Sequence, residues 1–309
     1  MKRLVHKTYR LKRFVNDDIW TLEMEELSKA KARFVKYLKV MMITIRTFSS
    51  QKIGFQAVAL SFFSTMSVVP FVAIAFAVTD GFGLAGKLTE FLYGYFNNSQ
   101  ETIDMVLGFA QNIINTAQSS AMGLVSALLF VWIVIWMMLS VERVFNNVWQ
   151  VQKSRNLLKR LTVIFAMLFL SPFVVIVFFT GSFIYSHILE YMGLNVEEFT
   201  VFKTILTWLL FGVFATLTFS AMYKFIPNAK VEYASALRAA IPAGIAFTLM
   251  QYMYLETQVF VTRLNAIYGA FAAVPLFMIW LNIGWFIILI GAELSYAFQH
   301  VDNYNVEDL

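Results

Sequence analysis

The sequence predicts an all-α integral membrane protein, a bundle of six transmembrane helices with both termini in the cytoplasm. Amphipathic helices are expected before span one and between spans one and two. Three observations predict this class. First, the chain is 59% hydrophobic and only 14% charged, where a soluble domain carries roughly 25% charged residues; too few charges remain to coat a globule of this size. Second, apolar runs recur that reach the roughly 20 residues needed to cross a hydrocarbon core of about 30 Å. Third, 13 of the 24 Lys and Arg residues lie in the first 52 positions, the bias that orients membrane proteins.

The elements follow in order. Residues 1–52 read as a basic cytoplasmic segment. Phe34, Leu38, Met41, Met42 and Ile45 form an apolar stripe there, surrounded by Lys31, Arg33, Lys36, Lys39 and Arg46. That pattern suits a helix lying on an anionic leaflet, where each nearby Lys or Arg contributes roughly 1 kcal/mol. The segment lacks the short apolar core and small-residue cleavage site of a signal peptide. Residues 53–298 read as the transmembrane domain, with spans at Ile53–Thr79, Ala121–Val141, Leu161–His187, Phe202–Tyr223, Ala239–Phe260 and Ala270–Phe298. The runs do not alternate in hydropathy, which excludes a strand barrel. Residues 299–309 form a short cytoplasmic tail.

Between spans one and two, Ile103, Val106, Leu107, Ala110, Ile113, Ile114 and Ala117 share one helix face. Asp104, Gln111, Asn112, Asn115 and Gln118 occupy the other, as in a helix resting on the outer membrane surface or on the bundle. The loop after span two adds Arg143, Lys153, Arg155, Lys159 and Arg160 to the inner side. The loop after span four adds Lys224, Lys230 and Arg238, leaving only Lys87, Lys203 and Arg263 outside. A split of 21 to 3 places both termini in the cytoplasm.

Some residues exceed what anchoring requires. Span one carries Gln56, Ser61, Ser64, Thr65 and Ser67 on about half its circumference, followed by Pro70. Polar side chains in hydrocarbon seek other helices or a wet cavity. Pro70, Pro172, Pro242 and Pro275 all fall in apolar spans, and broken helices mark midplane sites in transporters. Hydroxyls bonded to their own helix and simple packing kinks account for the same residues. Glu293 lies within the apolar run of span six and needs a partner, for which Arg143 and Arg238 are the expected candidates. It either locks packing or couples a proton or substrate. Ala240-xxx-Gly244 permits close helix approach, and Tyr268-Gly269 reads as a turn.

Several chemistries are disfavoured. The chain has no Cys, so it has no disulfides, thiolate nucleophile or Cys-ligated metal. His6, His187 and His300 are scattered, and no HExxH, Walker or GxSxG motif occurs. No enzyme activity and no cofactor are expected. The positive-inside bias accounts for the basic balance, so nucleic acid is not an expected partner.

Four stretches together resemble the YihY/BrkB family of bacterial membrane proteins. They are the run from Gln56 to Pro70 ending Ser-Val-Val-Pro, the segment Arg143-Val-Phe-Asn-Asn-Val-Trp149 with Arg155 and Arg160 beyond it, Tyr223-Lys-Phe-Ile-Pro-Asn228, and Tyr268-Gly269 through Trp280 to Gly291-Ala-Glu-Leu294. They cover roughly residues 30–300. Ile226 stands where the family often has Leu. The resemblance implies a six-helix protein of the bacterial inner membrane with cytoplasmic termini, and links relatives to virulence and envelope lipid traffic. The older label ribonuclease BN on relatives finds no nuclease chemistry here.

The leading expectation is a transporter-like protein that moves or admits a lipid or other amphiphile without ATP hydrolysis of its own. Gln56, Ser61, Ser64, Thr65, Ser67 and Pro70 would form a polar path. Arg143, Asn147, Trp149, Arg155, Arg160, Asn228, Arg238 and Glu293 would form a cytoplasmic mouth, with basic groups attracting anionic lipid headgroups. The alternatives are a non-transporting envelope scaffold that binds a periplasmic or membrane partner protein, and a small-solute or ion permease.

Overall fold

The computed structural model describes residues 28–83, 121–151, 200–268 and 273–304, with isolated positions at 19–20, 86–116 and 155–165. Among the described residues the long elements are all helices: α1 (Lys29–Ser50), α2 (Ile53–Gly81), α3 (Ala121–Val148), α4 (Thr200–Phe225), α5 (Tyr233–Tyr268) and α6 (Ala273–His300). Among the described residues, five stretches are long and apolar enough to cross a membrane: Ile53–Ile74, Gly123–Val148, Trp208–Phe225, Tyr233–Tyr254 and Pro275–His300. They correspond to five of the six predicted spans. The remaining one, Leu161–His187 with Pro172, lies outside the described residues except for Thr162 and Phe165, both helical. Gly269 also lies outside them.

Two elements run well beyond their predicted bounds, by six residues or more. Helix α3 continues through Val148, so the Arg143–Val148 segment is helical rather than a loop. Neither Gly nor Pro interrupts it. It closes in a Schellman turn, with the Val151 N–H donating to the Asn146 carbonyl (2.9 Å) and the Gln150 N–H to that of Asn147 (2.9 Å). Gln150 takes the left-handed conformation this motif demands (φ +50°). Helix α5 spans 36 residues, about 54 Å at 1.5 Å per residue, well beyond a hydrocarbon core of about 30 Å.

α1 hands over to α2 through two residues. Lys52 (φ +53°) reverses the chain, and its carbonyl accepts the first N–H bonds of α2, from Phe55 (3.0 Å) and Gln56 (3.4 Å). The Gln56 side chain completes the turn, donating through Nε2 to the Gln51 carbonyl (2.9 Å). The short link folds α1 back against α6. Val40, Ile43, Thr44 and Thr47 are buried there, while Phe34, Met41 and Ile45 of the predicted stripe point outward. The helix therefore has apolar residues on two sides, one for the bundle and one suited to a membrane interface. Lys39 and Arg46 flank the Trp20 ring at 5.8 and 5.9 Å. Burial pushes the Lys39 ammonium below its usual range, opposed by the Asp302 carboxylate.

α6 is the hub, packing against each of the other five helices, while α4 and α5 form an antiparallel pair beside it. The buried core is concentrated at one end. It joins Val40 and Ile43 of α1, Ile53 and Leu60 of α2, Phe145 and Val148 of α3, Tyr223 of α4, Ala239 of α5 and Leu289 of α6. This is the end where the basic loops lie. Further along, Leu124, Leu128, Trp132, Leu209, Val213, Leu249 and Ile279 face outward, as expected where the solvent is lipid. Of the predicted outer amphipathic helix only separate positions are described. They are helical, with Leu107 buried and Asp104, Gln111, Asn112 and Asn115 exposed.

Candidate functional site

The polar positions of span one lie where α2 meets its neighbours. Ser61, Ser64, Ser67 and Pro70 are buried, and Gln56 and Thr65 are half-buried. Their hydroxyls are spoken for locally: Ser61 Oγ donates to the Val58 carbonyl (2.7 Å), Thr65 Oγ1 to that of Ser61 (2.8 Å) and Ser67 Oγ to that of Ser64 (3.0 Å). One bond leaves the helix, from Trp285 Nε1 of α6 to Ser64 Oγ (2.9 Å). This face is packed against α6.

The residues assigned to the mouth separate into two groups. Arg143 and Asn147 are exposed, on one stripe with Gln150, while Arg238 is exposed on α5. Of the others, Arg155 and Asn228 meet at the 226–232 loop, while Trp149, Arg160 and Glu293 bind other partners. Arg155 Nη2 donates to the carbonyls of Phe225 (2.9 Å) and Pro227 (3.0 Å), the orphan acceptors that end α4. The Asn228 N–H donates to Asn146 Oδ1 (2.7 Å). Lys224 Nζ donates to the Val231 carbonyl. Gln299 of α6 accepts from the Glu232 N–H (2.8 Å) and donates to the Lys230 carbonyl (3.0 Å). Four side chains from four segments thus hold one short loop. Arg155 acts here as a cap, with a hydrogen-bonded cation in a partly buried setting. Arg155→Ala removes both bonds and is expected to cost about 1.5–3 kcal/mol, read as a lowered thermal midpoint of the full chain in detergent. Arg155→Lys is expected to recover little of it, because an ammonium lacks the planar fork.

Asn146, Gln299 and Glu142 are not among the site residues that the sequence points to. Phasing along α3 would have found two of them: exposed positions recur at 143, 147 and 150, so 142 and 146 fall on the inner side. Glu142 is buried and pairs with Arg160 Nε (2.7 Å). Trp149 is buried, edge-on to Tyr296 (5.6 Å) and His300 (5.8 Å) of α6, so its ring joins two helices.

Glu293 is fully buried. Arg143 and Arg238, its expected partners, both sit on outward faces. Its Oε2 instead lies 2.6 Å from Thr47 Oγ1 of α1, and Oε1 has no hydrogen-bond partner among the described residues. Pairing with an arginine is therefore replaced by a bond to a hydroxyl, because the side chain points toward α1.

The α4–α5 pair carries a feature that sequence reasoning saw only in part, as the Ala240-xxx-Gly244 signal. Gly212-xxx-Thr216 on α4 lies against Gly244-xxx-Thr248 on α5, each glycine facing the other helix's threonine. A Cβ on Gly244 would stand 3.1 Å from the backbone N and Cα of Thr216, and one on Gly212 would stand 3.2 Å from Thr248 Oγ1. Each threonine hydroxyl donates to the carbonyl of its own helix's glycine (2.8 Å) and shows no free donor to lipid. Beside this crossing runs an apolar groove of about 450 Å³, lined by Leu209, Val213 and Leu217 with Ile241, Ile245 and Leu249. Trp208, edge-on to Tyr252 (5.3 Å), also lines it. Arg238 stands one turn before Ile241, toward one end.

The comparisons with known proteins agree with a membrane protein. A UPF0761 membrane protein of Paraburkholderia xenovorans is 30% identical over 261 residues, covering 81% of this chain and 57% of the relative, so the chain spans little more than half of that protein. A UPF0761 membrane protein of Mannheimia succiniciproducens is 28% identical, with 80% of this chain and 85% of the relative covered. One of Haemophilus influenzae is 26% identical, with 83% and 93% covered. No solved structure matches. The family profile for virulence factor BrkB matches residues 44–308, and with it the chain belongs to the YihY/BrkB family of multi-pass membrane proteins.

Proposed function

We propose that this protein handles lipid, admitting one acyl chain of an anionic amphiphile into the α4–α5 groove with the headgroup at Arg238. The observation that carries the reading is the groove itself: apolar, open along the flank of two membrane-length helices, and continued by an exposed arginine on the same α5 face. Positions 238, 241, 245 and 249 recur at helical spacing, so a chain lying along Ile241, Ile245 and Leu249 brings its polar end toward Arg238. By the positive-inside bias that end faces the cytoplasm.

The alternatives fit less well. A narrow aqueous permease path calls for a polar cavity closed to lipid, whereas the groove is apolar and open at the side. A static scaffold calls for a bundle without a lipid-sized recess. The packed polar face of α2 favours the scaffold, and the groove opposes it.

The test is retention and movement of lipid by the full chain. Purified from membranes and washed in detergent, it is expected to keep anionic over zwitterionic phospholipid. Arg238→Ala is expected to lower that preference about fivefold, the loss of roughly 1 kcal/mol for one basic residue near the surface. Val213→Trp, which fills the groove, should lower retention of both lipid classes. Proteoliposomes carrying labelled phospholipid then show whether binding leads to movement. Unchanged retention in both variants would overturn the reading.

A further inference from the structure

The Glu293–Thr47 contact holds more hydrogen bonds than Thr47 has protons. Thr47 Oγ1 lies 2.6 Å from Glu293 Oε2 and 2.9 Å from the Ile43 carbonyl, with the Thr44 carbonyl at 3.3 Å. Carbonyl oxygens only accept, and an ionised carboxylate only accepts. A hydroxyl has one proton, so it can satisfy one of these neighbours. With an ionised Glu293, two oxygen atoms at hydrogen-bonding distance would face each other without a proton between them. With a protonated Glu293 the chain closes: the carboxyl O–H donates to Thr47 Oγ1, and the Thr47 O–H donates to the Ile43 carbonyl. The remaining carboxyl oxygen, Oε1, is then a neutral acceptor, whose lack of a partner costs far less than that of a charged one.

We propose that Glu293 is a proton-binding site, a neutral acid at the α1–α6 contact whose proton fastens α1 to the bundle and whose loss releases it. Among the described residues, the surroundings supply no counter-charge. On α1, Lys36 is committed to Asp302 (2.7 Å), and Lys39 and Arg46 stand beside Trp20. On α2, Lys52 is exposed at the turn. On α3, Glu142 is held by Arg160 and Arg143 faces outward. On α4, Tyr223 is buried and uncharged, and Lys224 bonds the Val231 carbonyl. On α5, Arg238 is exposed. On α6 itself, His300 lies against Tyr296 and Trp149. Removing the proton would leave an unpaired carboxylate in an apolar setting, which separation of α1 relieves by admitting water. This goes beyond lipid handling and stands whether or not the groove binds lipid.

Infrared spectroscopy of the full chain in liposomes tests the proton. A carbonyl stretch of a protonated carboxylic acid is expected at neutral pH, absent in Glu293→Gln and shifted in Thr47→Val, which removes its acceptor. Wild-type and Glu293→Gln spectra that coincide in this region at every pH would overturn the proposal. The chain has no Cys, so a single introduced thiol reports on α1. Alkylation of Thr44→Cys, buried in the contact, relative to the exposed Ser49→Cys, is expected to rise several-fold as the band fades with pH. It should stay flat when Glu293→Gln is added, since the amide remains neutral and can still donate to Thr47. A flat ratio in both backgrounds would show that the proton does not hold α1.

Discussion

Gly291→Ala is expected to disrupt the buried core strongly. A Cβ there would stand 2.7 Å from Cζ of Tyr223 and 2.8 Å from Cβ of Ala243, with the phenol oxygen closer still. Neither neighbour can yield easily. Tyr223 is fully buried between Phe145 and Phe219, and Ala243 belongs to the α5 face packed on α6. Overpacking of this kind typically costs 1–3 kcal/mol, occasionally more, and the upper part of that range is expected. Tyr223→Phe should partly rescue it by removing the nearest atom, while the ring carbon still crowds the new methyl. Alone, Tyr223→Phe is expected to be neutral or stabilising, because its hydroxyl has no hydrogen-bond partner among the described residues and a buried unsatisfied hydroxyl costs about 1–3 kcal/mol. Thermal unfolding of the two single variants and the double variant closes the cycle. Strict additivity would show that Gly291 and Tyr223 do not touch in solution.

That contact explains what the sequence could and could not reveal. Span positions were legible because hydrocarbon demands length and apolarity, and five of them coincide with helices of the structure. The ends were less legible. α3 and α5 run on past their apolar stretches because helix continues wherever no breaker intervenes, and hydropathy does not register that. Close approach was legible where small residues recur, as at Gly244. It was hidden at Gly291, whose role depends on a tyrosine on another helix.

The polar residues illustrate a deeper limit. Ser61, Ser64, Ser67 and Glu293 all stood out as costly in hydrocarbon, and all are buried. Composition gives the need for a partner without saying which atom meets it. The serines meet most of it within their own helix turn, and Glu293 meets it with Thr47, a residue of the amphipathic helix rather than of a predicted span. Arg155 was read as bait for a headgroup, yet two carbonyls at the end of α4 hold it. The groove was not legible as such, since it arises from the crossing of two helices. Arg238 was legible by charge alone, and the structure adds that it shares an α5 face with Ile241 and Ile245.

Gly244→Leu is the change expected to reshape that groove most strongly. The atoms facing a Cβ at this position include the Thr216 backbone at 3.1 Å, and a helix backbone cannot rotate away as a side chain can. The two helices must part, and the leucine beyond the Cβ enlarges the separation. We expect a loss of about 2–3 kcal/mol, the upper part of the overpacking range. Gly212→Ala supplies the control. Its Cβ meets only the Thr248 hydroxyl, at 3.2 Å, and a small shift of that side chain accommodates it. Gly244→Ala should fall between them, and Thr216→Ala should rescue it only in part, because the backbone contacts persist. Two readouts separate packing from lipid handling. Thermal unfolding reports the order Gly212→Ala, Gly244→Ala, Gly244→Leu. A disulfide between cysteines placed on α4 and α5 across the crossing, in a chain otherwise free of Cys, reports the separation and should form more slowly in the same order. Lipid retention should follow the separation, because the groove walls are the helices that part. Equal disulfide rates for Gly212→Ala and Gly244→Leu would show that the glycine–threonine crossing does not set the distance between α4 and α5.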